Sequence, residues 1–527
     1  MQFTSWGFIA FLIILLPLYY LLPKRGQWVL LLVADAVFYA CAGWQGLVFM
    51  AATVTVSWAA AYLMGKSLAA QKKYLGSDEG KALDKTGRRA YRGRMEKRRK
   101  CFLVLALVID LGILAALKYT NFVINNVNSL FSASLAGVDW VLPLGISFYT
   151  FQTVSYVIDV YRERVEPEKN IFKVALFTSF FPLLIQGPIS RFGDLRDSLF
   201  AEHRADFKEI SFGVSRIIWG YFKKLVIADR LLVGVTAICG DLSAYSGAYV
   251  AVGAFLYAAE LYADFTGGID ITIGIAQALG ISVKENFIRP YFSKNIAEYW
   301  RRWHISMGTW FKDYIFYPLS VNKRLLKLSK TVRTKVSDGL GKKLPVYVST
   351  VITWFLTGLW HGAAWNFVVW GLLNAFFILL AEEIKPLTKK FRERHEKLCR
   401  SFGYGVFEML RTFLLMCSLR MLDCYRNVAL SFRAFGSVFT AGNWREAFTG
   451  GLMGIGLSAG DYLIAGIGII LMLTVSIVQE KRGSVRELLW KRTGLMYAAF
   501  TLLIIAILVF GAYGVGYDAS QFIYNQF

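Results

Sequence analysis

Long apolar segments, separated by short basic ones, make up most of the chain. The clearest examples are residues 6–22, 101–117, 462–478 and 496–512. Each is long enough to cross a hydrocarbon layer of about 30 Å, since an α-helix rises about 1.5 Å per residue. None shows the strict alternation of a membrane β-barrel strand or the polar stripe of a soluble bundle. The pattern therefore predicts an all-α integral membrane protein.

The same pattern continues through the rest of the chain. The apolar runs that predict spans are residues 6–23, 27–43, 46–64, 101–118, 139–160, 211–240, 246–278, 404–421, 453–478 and 494–513. The first run is followed by another apolar run rather than by a small-residue cleavage site, which indicates a retained span. No internal repeat, low-complexity tract or soluble domain interrupts the series. The prediction is one polytopic membrane domain, residues 1–527.

Two apolar regions do not fit a simple span. Residues 172–190 contain Pro182 and Gln186, and non-helical backbone at membrane depth survives only inside protein or beside a water-filled cavity. We therefore expect a re-entrant segment there. Residues 345–381 lie between two basic stretches, which leaves about 37 residues to cross the membrane and return. They predict two short or tilted helices that meet at residues 358–362.

Basic residues set the expected orientation. The chain has 59 Lys and Arg against 36 Asp and Glu, a net charge of +23, and the excess is concentrated in residues 66–100, 321–344 and 481–492. Loops rich in Lys and Arg stay on the cytoplasmic side, so this charge indicates anionic lipid rather than nucleic acid. Three predicted spans precede the first basic loop, which places the N-terminus outside. The tail, residues 514–527, is then extracytoplasmic as well.

The cysteines carry no recognisable motif. There are six of them, without a Cys-x-x-Cys pair or a histidine at metal-ligand spacing: Cys41, Cys101, Cys239, Cys399, Cys417 and Cys424. Several lie in apolar runs, which favours small packing residues over a disulfide framework. The sequence predicts no metal site and no redox chemistry.

One of the four histidines stands out by its surroundings. His203 and His395 lie in charged, loop-like segments, where a solvated surface position is expected. His361 lies in TWFLTGLWHGAAWNFVVWGLLNA, which contains no Lys, Arg, Asp or Glu. An ionisable side chain in such a setting is costly and indicates function. A buried structural histidine is the alternative, and Gly358 and Gly362 leave space for either a substrate or a closely packed helix.

His304 lies in an aromatic and basic segment, EYWRRWHISMGTWFKDYIFYPL. On a continuous helix one face would carry Tyr299, Trp303, Trp310, Tyr314 and Tyr317. Such an amphipathic helix lies in the membrane interface. It is either a simple anchor or a lid over a cytoplasmic opening, with Arg301 and Arg302 available to a phosphorylated donor.

Carboxylates also occur within a predicted span. Glu260 and Asp264 are four residues apart, so they share one helical face. Intramembrane carboxylates can serve proton transport; alternatively they form a polar core, orient a histidine, or bond Arg289 or Arg301. We favour the polar core. No phosphate loop, dinucleotide fingerprint or Gly-x-Ser-x-Gly elbow is present.

Several blocks together resemble a known family. The histidine blocks are RRWHISMGTWFKDYIFYPL and LTGLWHGAAWNFVVWGLLNA, and the supporting blocks are PLGISFYTFQTVSYVIDVYR, FFPLLIQGPISRF, YADFTGGIDITIGIAQALG and ENFIRPY. They resemble the membrane-bound O-acyltransferase family, in particular its bacterial branch typified by the alginate O-acetyltransferase membrane subunit. The resemblance covers about residues 1–520. The sequence departs from the family pattern at three places. Met307–Gly308 stands where Leu-Ser is expected, Thr266 begins a Thr-Gly-Gly where Ser-Gly-Tyr is commoner, and Glu260 stands where a Gln is usual.

The resemblance implies a fold and a reaction. The fold is an irregular bundle of about eleven transmembrane helices, with re-entrant and interfacial helices around a tunnel. The catalytic residues are His361 and His304, and the residues implied to line the tunnel or meet the donor are Arg301, Arg302, Trp303, Trp360, Asn366, Asp264 and Glu260. Burial disfavours the imidazolium, so a neutral imidazole can act as the base that activates an acceptor hydroxyl.

The resemblance also implies substrates and a cellular setting. An acetyl group passes from acetyl-CoA, or another cytoplasmic thioester, across a bacterial cytoplasmic membrane to an extracellular or cell-wall polysaccharide. An exported partner of the SGNH or acetylesterase type makes the final transfer. Separately, the aromatic residues of the predicted extracytoplasmic tail, residues 521–527, indicate either docking of this partner or anchoring of the last span at the lipid interface. The alternatives are a D-alanyl transferase of the teichoic-acid type, which is typically shorter, and a proton-coupled transporter that uses Glu260, Asp264 and Asp270.

Overall fold

The structure, a computed structural model, describes residues 2–513 and residue 517. No β-strand occurs in this part of the chain, which is built from helices. The first α-helices are α1 (Trp6–Leu21), α2 (Gln27–Ala40), α3 (Gln45–Gly76), α4 (Asp78–Ala82), α5 (Lys85–Phe131), α6 (Ile146–Tyr161), α7 (Ile171–Ser179), α8 (Phe181–Leu184), α9 (Phe192–Leu199), α10 (Phe207–Tyr221), α11 (Asp229–Gly240) and α12 (Ala248–Ala278).

The second half continues in the same way. Its α-helices are α13 (Ile296–Arg302), α14 (Ile305–Phe311), α15 (Tyr317–Ser320), α16 (Lys323–Lys335), α17 (Asp338–His361), α18 (Trp365–Arg394), α19 (Glu396–Cys399), α20 (Phe402–Tyr425), α21 (Val428–Thr440), α22 (Trp444–Phe448), α23 (Ala459–Arg482), α24 (Val485–Trp490) and α25 (Thr493–Phe510). Short 3₁₀-helices cover Lys24–Gly26, Pro290–Phe292 and Gly451–Ile455. Two π-helices cover Phe222–Ala228 and Lys312–Phe316.

The helices fall into two compact units. One contains the chain up to Gly213 together with Ile275–Val283, and the other contains Val214–Gly274 and the chain from Lys284 onward. Both candidate histidines, His304 and His361, belong to the second unit. That unit therefore contains the candidate site.

Helices of membrane-crossing length confirm the predicted class. Five are long and apolar enough to span a bilayer: α3, α5, α18, α23 and α25. Only 6% of the apolar window of α25 is buried inside the protein, as expected of a helix that faces lipid. Helices α1 and α2 are shorter, with 16 and 14 residues. The total of about eleven spans stays a prediction.

The basic segments are more helical than a loop. Helix α3 runs on to Gly76 and α5 begins at Lys85, so most of residues 66–100 is helical. Residues 321–344 likewise contain α16 and the start of α17. Lys and Arg are good helix formers, so the long helices continue beyond their apolar parts. The cytoplasmic position of these segments stays a prediction.

The two apolar regions that did not fit a simple span, residues 172–190 and 345–381, both contain a helix break in the structure. Residues 171–184 form two short helices, and the Asp35 carboxylate accepts hydrogen bonds from Ser179 Oγ and Phe181 N, both at 2.9 Å. The break between α17 and α18 falls at residues 362–364, next to the predicted position. The predicted pair of helices is confirmed; they have 24 and 30 residues, and their tilt stays a prediction. Their charged ends extend them beyond the apolar run.

One cysteine pair corrects the prediction of isolated packing residues. Cys239 of α11 and Cys424 of α20 form a disulfide with a Cα–Cα distance of 6.1 Å. The two residues are 185 positions apart in the sequence, and cysteine spacing does not reveal such a pairing. Among the free cysteines Cys417 is buried, whereas Cys41 and Cys101 are exposed.

Candidate active site

His304 lies in a break between two short helices. The predicted continuous amphipathic helix was wrong, because α13 ends at Arg302 and His304 adopts a left-handed backbone conformation, with φ 47° and ψ 53°. That conformation costs about 1–2 kcal/mol for a non-glycine residue. Backbone hydrogen bonds on both sides hold it: Ile288 N donates to Arg302 O at 2.9 Å, and Ile305 N donates to Asn286 O at 3.0 Å.

The break turns the His304 ring into the protein, where it is 1% exposed. Its Nδ1 lies 3.3 Å from Asn286 Nδ2. Asn286 Oδ1 already accepts a hydrogen bond from Ser306 N at 2.9 Å. Donation from the Asn286 amide to Nδ1 therefore fits best and leaves the ring proton on Nε2.

Burial, with a smaller contribution from the Arg420 charge, lowers the pKa of His304 well below its usual value. The surrounding apolar protein disfavours the imidazolium because it cannot solvate the charge. His304 is therefore a neutral imidazole near pH 7.

His361 is the last residue of α17, and its half-buried ring lies between two indoles. The ring centroid is 5.1 Å from that of Trp360 and 4.8 Å from that of Trp370, both nearly perpendicular. A Cβ on Gly358 would lie 2.3 Å from the Phe367 carbonyl oxygen, and one on Gly362 would lie 2.3 Å from the Phe367 ring. These glycines therefore serve close helix packing rather than substrate space.

Four tryptophans lie around the two histidines, and one of them contacts both. We call Trp300, Trp303, Trp360 and Trp370 the aromatic frame. Trp360 contacts both rings, since its centroid is also 6.0 Å from that of His304. The two histidines thus belong to one buried cluster.

A buried cation, missed in the sequence, lies against the aromatic frame. The Arg420 guanidinium carbon is 4.9 Å from the Trp303 centroid, 5.5 Å from that of Trp370 and 5.9 Å from that of Trp300. Arg420 NH1 donates to Asp423 Oδ2 at 2.9 Å. The sequence did contain a signal for this site, because Arg420 and Asp423 are charged residues three positions apart in an otherwise apolar helix.

The other residues that the resemblance implied for the site lie in different surroundings. Trp303 and Trp360 are buried in the aromatic frame. Asn366 instead donates from Nδ2 to Leu422 O at 3.1 Å and so joins α18 to α20. Arg301 is exposed, and Arg302 forms ion pairs with Glu298 at 2.9 Å and Glu480 at 3.3 Å. Its charge is compensated, against the expectation that it is available to a donor.

Three carboxylates in this region, those of Asp229, Asp264 and Asp270, form ion pairs with lysines. Lys224 Nζ lies 2.6 Å from Asp264 and 2.7 Å from Asp229. Lys223 Nζ lies 2.6 Å from Asp270. Arg289, one of the two arginines suggested as a partner of these carboxylates, instead forms an ion pair with Glu480. This arrangement is the polar core that the sequence favoured.

Close backbone packing brings these ion pairs together. The π-helix Phe222–Ala228 carries both lysines toward α12. A Cβ on Gly220 would lie 2.6 Å from the Gly267 carbonyl oxygen, so only glycine allows this approach. Local π-helix is rare and often marks functional positions.

The remaining histidines differ from each other. His395 is exposed, as predicted. His203 is half-buried, and its Nε2 lies 2.7 Å from the Ser198 carbonyl oxygen, so the predicted solvated position was wrong. The chain folds back locally, so that the Ser198 carbonyl oxygen lies within hydrogen-bond distance of the His203 ring. The charged residues next to His203 in the sequence gave no indication of this contact.

The fold and the site together define an all-helical membrane protein with two histidines in one buried aromatic cluster. Residues 150–336 and 339–433, which contain both histidines, match the membrane-bound O-acyltransferase family. Together these ranges make up more than half of the chain. The chain therefore belongs to the membrane-bound O-acyltransferase family, and it is an O-acyltransferase.

Named relatives agree with this assignment. The chain is 32% identical over 453 residues to a probable alginate O-acetylase AlgI of Pseudomonas syringae pv. tomato, which covers 84% of this chain and 76% of that protein. It is 30% identical over 319 residues to a peptidoglycan O-acetyltransferase of Helicobacter pylori, covering 56% and 57%. It is 26% identical over 255 residues to a teichoic acid D-alanyltransferase of Bacillus subtilis, covering 47% and 61%.

Proposed function

We propose that the protein moves an acetyl group from a cytoplasmic thioester, acetyl-CoA, across a bacterial cytoplasmic membrane for O-acetylation of an extracellular or cell-wall polysaccharide. His361 acts as the general base on the acceptor hydroxyl. His304, held neutral by burial, positions the donor at the other side of Trp360. The observation that carries this proposal is the buried cluster of both histidines in a family of O-acyltransferases.

The acceptor class follows from the relatives. The three named above modify alginate, peptidoglycan and teichoic acid, all polymers that lie outside the cytoplasm. A channel within a helical membrane protein cannot easily admit a polymer, so an exported acyltransferase partner of the SGNH or acetylesterase type completes the transfer. The tail expected to dock it, residues 521–527, lies outside the described residues.

The disulfide supports the proposed orientation. Cys239 lies at the end of the predicted span 211–240 and Cys424 just after the span 404–421, and the Lys and Arg distribution places both ends outside. Disulfides persist in oxidising compartments and are rare in the cytosol. Their pairing therefore agrees with an extracytoplasmic position of both helix ends.

Cysteine labelling of intact cells checks this orientation. In a background without the free cysteines Cys41, Cys101 and Cys399, Glu79→Cys should resist a membrane-impermeant maleimide, because it lies in the basic cytoplasmic region. Ala244→Cys, exposed between α11 and α12, should react. Reaction of Glu79→Cys in intact cells would reverse the orientation and contradict a cytoplasmic donor site on that side.

Glycan analysis of a deletion strain tests the function itself. We expect mass spectrometry of its cell-wall and secreted glycans to show loss of ester-linked acetyl groups, restored by the wild-type gene and not by a His361→Gln allele. Unchanged acetylation would reject the proposal. Loss of ester-linked D-alanine instead would favour the teichoic-acid alternative, to which this chain is less similar.

A further inference from the structure

Trp370 carries a buried N–H group next to the candidate base. Its side chain is 1% exposed, and its ring centroid lies 4.8 Å from that of His361. Nε1 has no hydrogen-bond partner among residues 2–513 and 517. Trp300, in the same aromatic frame, differs because its Nε1 donates to Asn374 Oδ1 at 3.0 Å. Trp370 therefore carries an unused donor on a ring that packs against His361.

Such a donor is unusual inside a protein. A buried indole N–H normally finds an acceptor, because leaving it unpaired costs free energy. Neighbouring indoles fix the ring in place: the centroid of Trp300 is 5.6 Å away and that of Trp354 is 6.1 Å away. The N–H of Trp370 is thus held in one orientation before any substrate binds, as required of a preorganised donor.

Arg420 strengthens this donor. Its guanidinium carbon lies 5.5 Å over the Trp370 ring, and its side chain is buried. A cation over an indole face is attracted by the π electrons and polarises the ring, which makes the N–H a better hydrogen-bond donor. The ion pair with Asp423 holds the guanidinium at that position.

We propose that Trp370 Nε1–H donates the hydrogen bond that stabilises the oxyanion of acyl transfer, with Arg420 as the positioning residue behind it. This inference rests on the proposed function. The imidazole of His361 takes the proton of the acceptor hydroxyl while the hydroxyl oxygen attacks the thioester carbonyl carbon. The former carbonyl oxygen then carries the negative charge and accepts the hydrogen bond from Trp370.

Collapse of the tetrahedral intermediate completes the step. The C=O bond re-forms, the C–S bond breaks, and the thiolate leaves with the proton that His361 had accepted. The products are the ester and the free thiol, and no other reactant is needed. The hydrogen bond is strongest when the oxygen is charged, so its effect is on the transition state rather than on donor binding.

Removing the N–H alone tests the proposal. We would replace Trp370 with Phe, and in a second variant with benzothienylalanine, which keeps the ring shape and substitutes sulfur for N–H. Inverted membrane vesicles would receive radiolabelled acetyl-CoA, and the initial rate of base-labile labelling would be measured. Loss of one oxyanion donor typically lowers kcat by about 10²–10³-fold, and we expect KM for acetyl-CoA to change little.

Matched variants separate chemistry from folding. Trp219→Phe removes an indole that packs on Phe222, away from the aromatic frame, and should keep the wild-type rate. Arg420→Lys keeps the charge and should retain more activity than Arg420→Met at equal protein level. If Trp370→Phe does not fold, the benzothienylalanine variant decides the question.

Two results would overturn the inference in distinguishable ways. A benzothienylalanine variant with wild-type kcat and melting temperature removes the donor role of Trp370 and leaves the proposed function standing. Vesicles in which the wild-type protein transfers no acetyl group from acetyl-CoA overturn both. A selective loss of kcat in that variant, with unchanged KM and Tm, supports the assignment.

Discussion

His361→Ala should lower acetyl transfer to about 1% of the wild-type rate or less, because general-base catalysis typically contributes about 10²–10⁴-fold. The protein should still insert and purify normally, since the ring is only half-buried and His361 is the last residue of α17. The rate would be measured in inverted vesicles with radiolabelled acetyl-CoA. Immunoblotting and a melting curve would confirm equal amounts of folded protein.

His361→Gln is the matched control. Glutamine keeps a polar side chain between Trp360 and Trp370, so it limits the cost of leaving a neighbouring polar group without a partner. A structural histidine predicts poor expression or a lower Tm for the Ala variant, with both stability and activity restored by Gln. An active, well-folded His361→Gln enzyme would refute the base role. His304→Ala should also lose activity, but a defect in donor placement yields partly to higher acetyl-CoA concentration.

The sequence revealed those features that depend on local pattern. The long apolar helices follow from runs of apolar residues, and the break after His361 follows from the small residues 362–364. His361 itself stood out because it is an ionisable group in a segment without charges. The polar core was also foreseeable, since Lys223 and Lys224 interrupt one apolar run and carboxylates interrupt the next.

Features that depend on distant contacts were missed. The left-handed turn at His304 exists because Ile305 N donates to Asn286 O, and nothing in the residues near His304 announces that partner. The disulfide joins cysteines 185 residues apart. Arg420 became a site candidate only when the fold placed its guanidinium over Trp303 and Trp370. At His304 tertiary contacts overrode the helical periodicity, whereas the cysteines and Arg420 lie in regular helices and only their distant partners were hidden.

The polar core also decides between catalysis and transport. Among the described residues Lys224 lies close to three buried carboxylates. It forms ion pairs with Asp229 and Asp264, and Glu260 is near enough to interact with its charge. Burying uncompensated charge is expensive, so the lysine holds the carboxylates in the folded protein. A transporter would instead need these groups to exchange protons during its cycle.

Lys224→Met should therefore destabilise the protein strongly, because breaking a buried ion pair typically costs about 3–5 kcal/mol. We expect a lower Tm in nanodiscs and little folded protein. Glu260→Gln should fold and transfer acetyl groups, since Glu260 Oε2 has no hydrogen-bond partner within residues 2–513 and 517 and its loss relieves negative charge. The double variant Lys224→Met/Asp264→Asn should recover part of the lost stability, because it removes a charge that the single variant leaves unpaired. If all three variants fold normally and each abolishes activity, the cluster acts in a proton-coupled cycle rather than as a structural core.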